Sequence, residues 1–118
     1  MGWFSAVQLS EVEVTQVLTS CKAKLSALTA CQAANAGNTS ACRRLEVDVV
    51  YCMAERVCKD KAQEFRACFA QQHGDAKYEG RLRTYKDPTA CEKQVDAMKS
   101  CLKAQSLYPK HFQPSASR

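Results

Sequence analysis

The chain has 118 residues, a formal net charge of +5, 46% hydrophobic and 25% charged residues, and 8 cysteines. This length argues for one domain, or at most two small modules, and the apolar and charged content is ordinary for a globular protein. Four Gly and three Pro exclude a loop-rich toxin-like scaffold, no apolar window is long enough for a membrane-spanning helix, and this many cysteines is rare in a reducing cytosol.

Residues 1–9 read as an anchor segment. Trp3 and Phe4 make it aromatic, which suits contact with a partner or a membrane interface, or packing on the chain's own middle helix. The first basic residue is Lys22, so the charged start of a secretory signal is not expected. Glu11 and Glu13 precede any Lys or Arg, unlike a transit peptide. Met1-Gly2 opens like a myristoylation motif, but Ala6 stands where that motif needs Ser or Thr.

The first helix is expected over 11–34. Ser10 and Glu13 form a capping box, and Leu9 with Val14 a hydrophobic staple. Val14, Leu18, Cys21, Leu25, Leu28 and Cys31 recur at spacings of three and four, one amphipathic stripe. Asn35-Ala-Gly37-Asn38 ends it, with Gly37 as a left-handed cap. Thr39 or Ser40 can cap a second helix. No Gly or Pro occurs from Ala41 to His73, which predicts one helix of about 32 residues, near 48 Å long. Gly74 breaks it, and 74–88 reads as a polar loop. A third helix starts near Asp87-Pro88-Thr89, carries Val95, Met98, Cys101 and Leu102 on its apolar stripe, and closes at Pro109. Residues 107–118 form a tail with Phe112 as a candidate anchor.

The cysteines fall into four C-x9-C motifs, 21/31, 42/52, 58/68 and 91/101, with none left over. On a helix, ten residues rise about 15 Å and return to within roughly 80° of the starting face. Both cysteines of a motif can therefore look toward one neighbouring helix, but they are too far apart to bond each other. They also lack the short spacing of a zinc-ligand pair. Two antiparallel helices bridged twice satisfy the spacing. Eight cysteines allow on the order of a hundred pairings. In an antiparallel hairpin the inner cysteines pair and the outer cysteines pair. That gives Cys31–Cys42 with Cys21–Cys52, then Cys68–Cys91 with Cys58–Cys101. Zinc ligation or free thiols is the competing reading. On a straight middle helix, with Cys42 at 0°, Cys52 lies at about 280°, Cys58 at about 160° and Cys68 at about 80°. The two pairs then face opposite sides. The expected fold is all-α: three helices, the long central one bridged on opposite sides by the first and the last.

The four motifs, over about residues 10–106, resemble the twin-CX9C (CHCH) family of the mitochondrial intermembrane space. Two tandem hairpins look most like its quadruple-CX9C accessory subunit of respiratory complex I. The resemblance implies proteins without presequences, trapped after import by the oxidative machinery that inserts their disulfides. It implies a non-catalytic structural subunit of an inner-membrane respiratory complex, docked on the intermembrane-space side. Other subunits of that complex, and peripheral contact with inner-membrane lipid, are the implied partners. An assembly factor, or a subunit of cytochrome oxidase or the mitoribosome, is the alternative.

Other chemistries find little footing. Copper delivery needs an adjacent pair of free thiolates, and there is no Cys-Cys or C-x-C here. The only histidines, His73 and His111, have no readable triad partners, and no C-x-x-C or phosphate-binding glycine loop occurs. No catalytic residue, metal or cofactor is expected. Basic residues are spread along the chain. Their densest group, Lys77, Arg81, Arg83 and Lys86, is a candidate contact for an acidic partner or lipid. Nucleic acid is not an expected partner.

Overall fold

The computed structural model describes residues 9–73, 91–108 and 112. Among them are five α-helices and no strand. The helices are α1 (Glu11–Ser20), α2 (Lys22–Ala34), α3 (Arg43–Val57), α4 (Lys59–His73) and α5 (Glu92–Ala104), with a 3-10 turn over Thr39–Cys42 before α3. The architecture is an all-α fold stapled by four disulfides.

The start of α1 follows from its sequence. The Ser10 hydroxyl accepts the Glu13 N–H at 3.2 Å, and the Glu13 carboxylate accepts the Ser10 N–H at 2.9 Å. Two N–H groups that a helix start leaves without partners are thereby satisfied. Leu9 and Val14 both pack against the core. The expected helix over 11–34 is bent at Cys21, which has φ −105° and ψ 16°. The hydrogen-bond ladder still crosses the bend, from the Cys21 N–H to the Val17 carbonyl and from the Leu25 N–H to the Cys21 carbonyl. After α2 the chain turns at Asn35–Asn38, closed by the Asn38 N–H on the Asn35 carbonyl at 2.9 Å. Gly37 occupies the third place of that turn with φ +85°, a conformation that only glycine adopts without cost. The second helix does not start directly after Thr39 or Ser40 as expected. A 3-10 turn intervenes, without a side-chain cap, and Ser40 instead donates to the Asn38 side chain at 2.9 Å.

The expected central helix is two helices. Cys58, with φ −134° and ψ 54°, leaves the helical region and separates α3 from α4. The molecule extends 37 × 37 × 21 Å along its principal axes, so no continuous helix of about 48 Å runs along any of them. No Gly or Pro causes the break, so its cause is tertiary. The bend lets α5 pack against both α3 and α4. Phe65 and Phe69 of α4, with Val95, Met98 and Leu102 of α5, are thereby almost fully buried. Burying each such side chain stabilises by about 1.5–3 kcal/mol. A lost backbone hydrogen bond costs about 1 kcal/mol, so packing decides the geometry.

Helix α3 is the hub. Residues Val47 to Ala54 are all buried, and α3 packs against α1, α2, α4 and α5. A helix buried on every side has neighbours on every side. Thus α5 does not lie only on the far side of one straight rod, as the angular argument expects.

Helix α5 ends earlier than Pro109. Ser106 takes φ +62°. Its N–H bonds the Lys103 carbonyl at 3.0 Å, and the Leu107 N–H bonds the Leu102 carbonyl at 2.9 Å. This is a Schellman stop, with buried Leu102 and Leu107 as its apolar pair. The expected tail from 107 onward also contributes to the fold. Leu107 and Phe112 are buried, and Tyr108 packs beside them. The loop over 74–88 and the helix start at Asp87–Thr89 lie outside the described residues.

Candidate functional site

The cysteine frame is the most regular feature of the molecule. Every helix after α1 begins directly after a cysteine: Cys21, Cys42, Cys58 and Cys91. The second cysteine of each motif is then the tenth residue of its helix. Each C-x9-C motif is therefore one structural unit, a junction cysteine followed by a helix. Pairing two units antiparallel sets the junction cysteine of one against the tenth residue of the other.

The disulfides are Cys21–Cys52, Cys31–Cys42, Cys58–Cys101 and Cys68–Cys91, with Cα separations of 6.1, 5.9, 6.3 and 6.0 Å. All lie in the range that an ordinary disulfide spans. These are the pairs that the hairpin argument names, and no cysteine is free. The α2–α3 hairpin carries two rungs and the α4–α5 hairpin the other two. The junction cysteines supply no capping oxygen to α2, α3 or α5. Loss of a good cap costs about 1 kcal/mol, and the covalent bridge offsets it.

Polar contacts join the same elements. Arg43 reaches Glu46 at 3.4 Å and Glu92 of α5 at 3.5 Å. Lys99 of α5 reaches back to Glu46 at 3.3 Å and lies 5.4 Å from the centre of the Tyr108 ring. Lys24 of α2 pairs with buried Asp48 of α3 at 3.8 Å. The Tyr51 hydroxyl donates to Glu55 at 3.0 Å and accepts from Arg66 of α4 at 3.3 Å. Burial, then the hydrogen bond to Glu55, pushes the Tyr51 phenol above its ordinary titration range. These contacts fix how the helices meet. None brings a nucleophile to a base.

Two open clefts meet at the α3–α4 joint. One, of about 500 Å³, lies between α1 and the end of α3, lined by Leu9, Glu13, Gln16, Val17, Ser20, Arg56 and Val57. Its neighbour, of about 390 Å³, runs from Arg56 past Cys58 and Lys61 to Cys101. Sequence reasoning missed both, because an unbroken central helix has no elbow. No Gly or Pro near Cys58 marks the joint in the sequence.

The other residues singled out from sequence are not assembled into one site. Trp3, Phe4, Lys77, Arg81, Arg83 and Lys86 lie outside the described residues. Phe112 is corrected. It is 2% exposed, with its ring edge-on to Tyr108 at 4.9 Å. It anchors the chain to itself rather than offering a partner contact. Among the described residues no group of three or more His, Cys, Asp or Glu converges to hold a metal ion. No described helix is long and apolar enough to cross a membrane. No family model, curated protein or solved structure matches the chain.

Proposed function

We propose that this chain is a non-catalytic structural subunit of a mitochondrial inner-membrane respiratory complex, docked on the intermembrane-space side, with complex I as the assigned complex. The observation that carries the reading is the use of every cysteine in four C-x9-C units joined as two doubly bridged hairpins. Such a frame needs an oxidising compartment. The resemblance to the twin-CX9C proteins makes that compartment the intermembrane space. A rigid helical body, tied by bridges that each contribute roughly 3–4 kcal/mol in the chain-entropy description, suits a scaffold that holds larger subunits in place.

The test is native electrophoresis of digitonin-solubilised mitochondria with in-gel activity stains, the chain being located by mass spectrometry. Co-migration with NADH dehydrogenase activity is the expected result. Migration with cytochrome oxidase or the ribosome overturns the assigned complex. A small free species points to an assembly factor. Absence from mitochondria removes the reading altogether.

A further inference from the structure

The cleft that runs from Arg56 to Cys101 at the α3–α4 joint contains a disulfide. Both Cys58 and Cys101 line it, with Arg56, Lys59, Asp60 and Lys61 around them. Its volume, about 390 Å³, lies in the usual range of small-molecule pockets.

The two cysteines are not equivalent. Cys58 is buried and Cys101 half-buried, so a group entering the cleft meets Cys101 first. Cys58 is the junction residue. Its N–H bonds the Ala54 carbonyl at the end of α3, and its carbonyl accepts the Ala62 N–H at the start of α4. The negative end of α3 offsets the positive end of α4 at that point, so side-chain charge decides. Arg56, Lys59 and Lys61 all stand within three residues of Cys58, and Asp60 is the one carboxylate in the same lining. Lys61 meets Glu64 only at 4.0 Å, on the exposed face of α4, a pairing too weak to cancel its charge. Cations beside a cysteine stabilise its thiolate, and the better stabilised thiolate leaves faster in thiol–disulfide exchange.

Among the described residues the other bridges lack this combination. Cys21 and Cys52 are both buried. Beside Cys42, the Arg43 guanidinium is held by Glu46 and Glu92. The residue that opens α5 after Cys91 is the acidic Glu92.

We propose that Cys101 is a site of reversible S-thiolation by a small anionic thiol, with Cys58 as the leaving group. The thiol first gives its proton to solvent. Its sulfur then bonds the Cys101 Sγ, the Cys58–Cys101 bond breaks, and the electron pair leaves on the Cys58 Sγ. The incoming sulfur is oxidised and Cys58 is reduced, so no outside oxidant is required. Return attack by Cys58 expels the thiol, which makes the closed bridge the resting state where small thiols are scarce. The opened form keeps its fold, because Cys68–Cys91 still ties α4 to α5 and Phe65, Val95, Met98 and Leu102 stay in the core. The inference does not rest on the assignment to a respiratory complex.

The test treats the full-length oxidised protein with reduced glutathione under native conditions. Acid-quenched samples are alkylated and mapped without reduction. The first species to form is expected to carry glutathione on Cys101 and the alkyl group on Cys58. The other three bridges stay intact, and far-ultraviolet circular dichroism is unchanged. At equal thiolate concentration and low salt, glutathione is expected to react at least about threefold faster than cationic cysteamine, and added salt narrows the gap. Arg56→Gln, Lys59→Gln and Lys61→Gln together are expected to abolish that preference. Lys93→Gln, exposed and about 12 Å along α5 from Cys101, is expected to leave it unchanged. Another bridge opening first overturns the proposal. So does glutathione found on Cys58, which reverses the roles of the two sulfurs. Bridges that open only as helix is lost, or a rate indifferent to the charge of the thiol, overturn it too.

Discussion

The two hairpins share one cysteine plan and differ in what else holds them. In the first, α2 buries Leu28 as its one fully enclosed aliphatic side chain, and alanines such as Ala23, Ala27 and Ala30 face outward. In the second, α5 buries Val95, Met98 and Leu102, against Phe65 and Phe69 of α4. Equal covalent rungs thus serve unequal cores. Helix α2 is held mainly by its bridges. Helix α5 is held by bridges and by packing against two helices at once.

Complete reduction is expected to have the largest effect. The bridges close separations of 31, 11, 43 and 23 residues. In the chain-entropy description each contributes roughly 3–4 kcal/mol, against a net stability of about 5–15 kcal/mol for a domain. Circular dichroism with excess reductant is expected to show loss of most helix at ambient temperature.

Phe65→Ala is expected to cost about 3–5 kcal/mol, because the side chain is fully buried where α3, α4 and α5 meet. Denaturant unfolding of the oxidised variant measures it. A cost under about 1 kcal/mol would mean the second hairpin is no better packed than the first.

The comparison is sharpened by removing one inner bridge at a time. With Cys31 and Cys42 both changed to Ala, hydrogen exchange is expected to quicken across α2 while α5 stays protected. With Cys68 and Cys91 changed to Ala, α5 is expected to keep most of its protection, because its apolar face remains docked. Equal loss in both variants would contradict the contrast.

Tyr51 joins the two hairpins through Glu55 and Arg66, and its effect is smaller and confined to alkaline pH. Its folded-state titration lies above the ordinary tyrosine value. The unfolded chain therefore loses this proton first as pH rises. The stability due to Tyr51 is fully present below that ordinary value and is lost as pH climbs through the folded one. Tyr51→Phe is expected to flatten this part of the stability curve, read by denaturant midpoints across alkaline pH.

Ser106→Gly is expected to give the smallest change, a gain of up to about 1 kcal/mol in thermal unfolding. It relieves a left-handed position at φ +62° that glycine takes freely.

Much of this frame is readable before any coordinates. The ten-residue spacing names helix-sized units, and antiparallel geometry then orders the bridges. Ser10 with Glu13 marks the first helix start because capping is local chemistry. The break at Cys58 was hidden because no local breaker marks it. It exists so that α4 and α5 can bury Phe65, Phe69 and Met98, which is a tertiary demand. Ser106 is equally hard to read as a helix stop, since its left-handed turn depends on Leu107 finding the core. The burial of Phe112 depends on Tyr108 in the same way. The elbow cleft inherits its invisibility from the break at Cys58.

The most direct test is non-reducing peptide mapping of the protein isolated from its own cells, with thiols blocked at lysis. The expected result is four linked pairs, Cys21–Cys52, Cys31–Cys42, Cys58–Cys101 and Cys68–Cys91, with no blocked cysteine. A Cys52–Cys58 link, or four or more blocked cysteines, would contradict the double-hairpin frame and the oxidising compartment inferred from it.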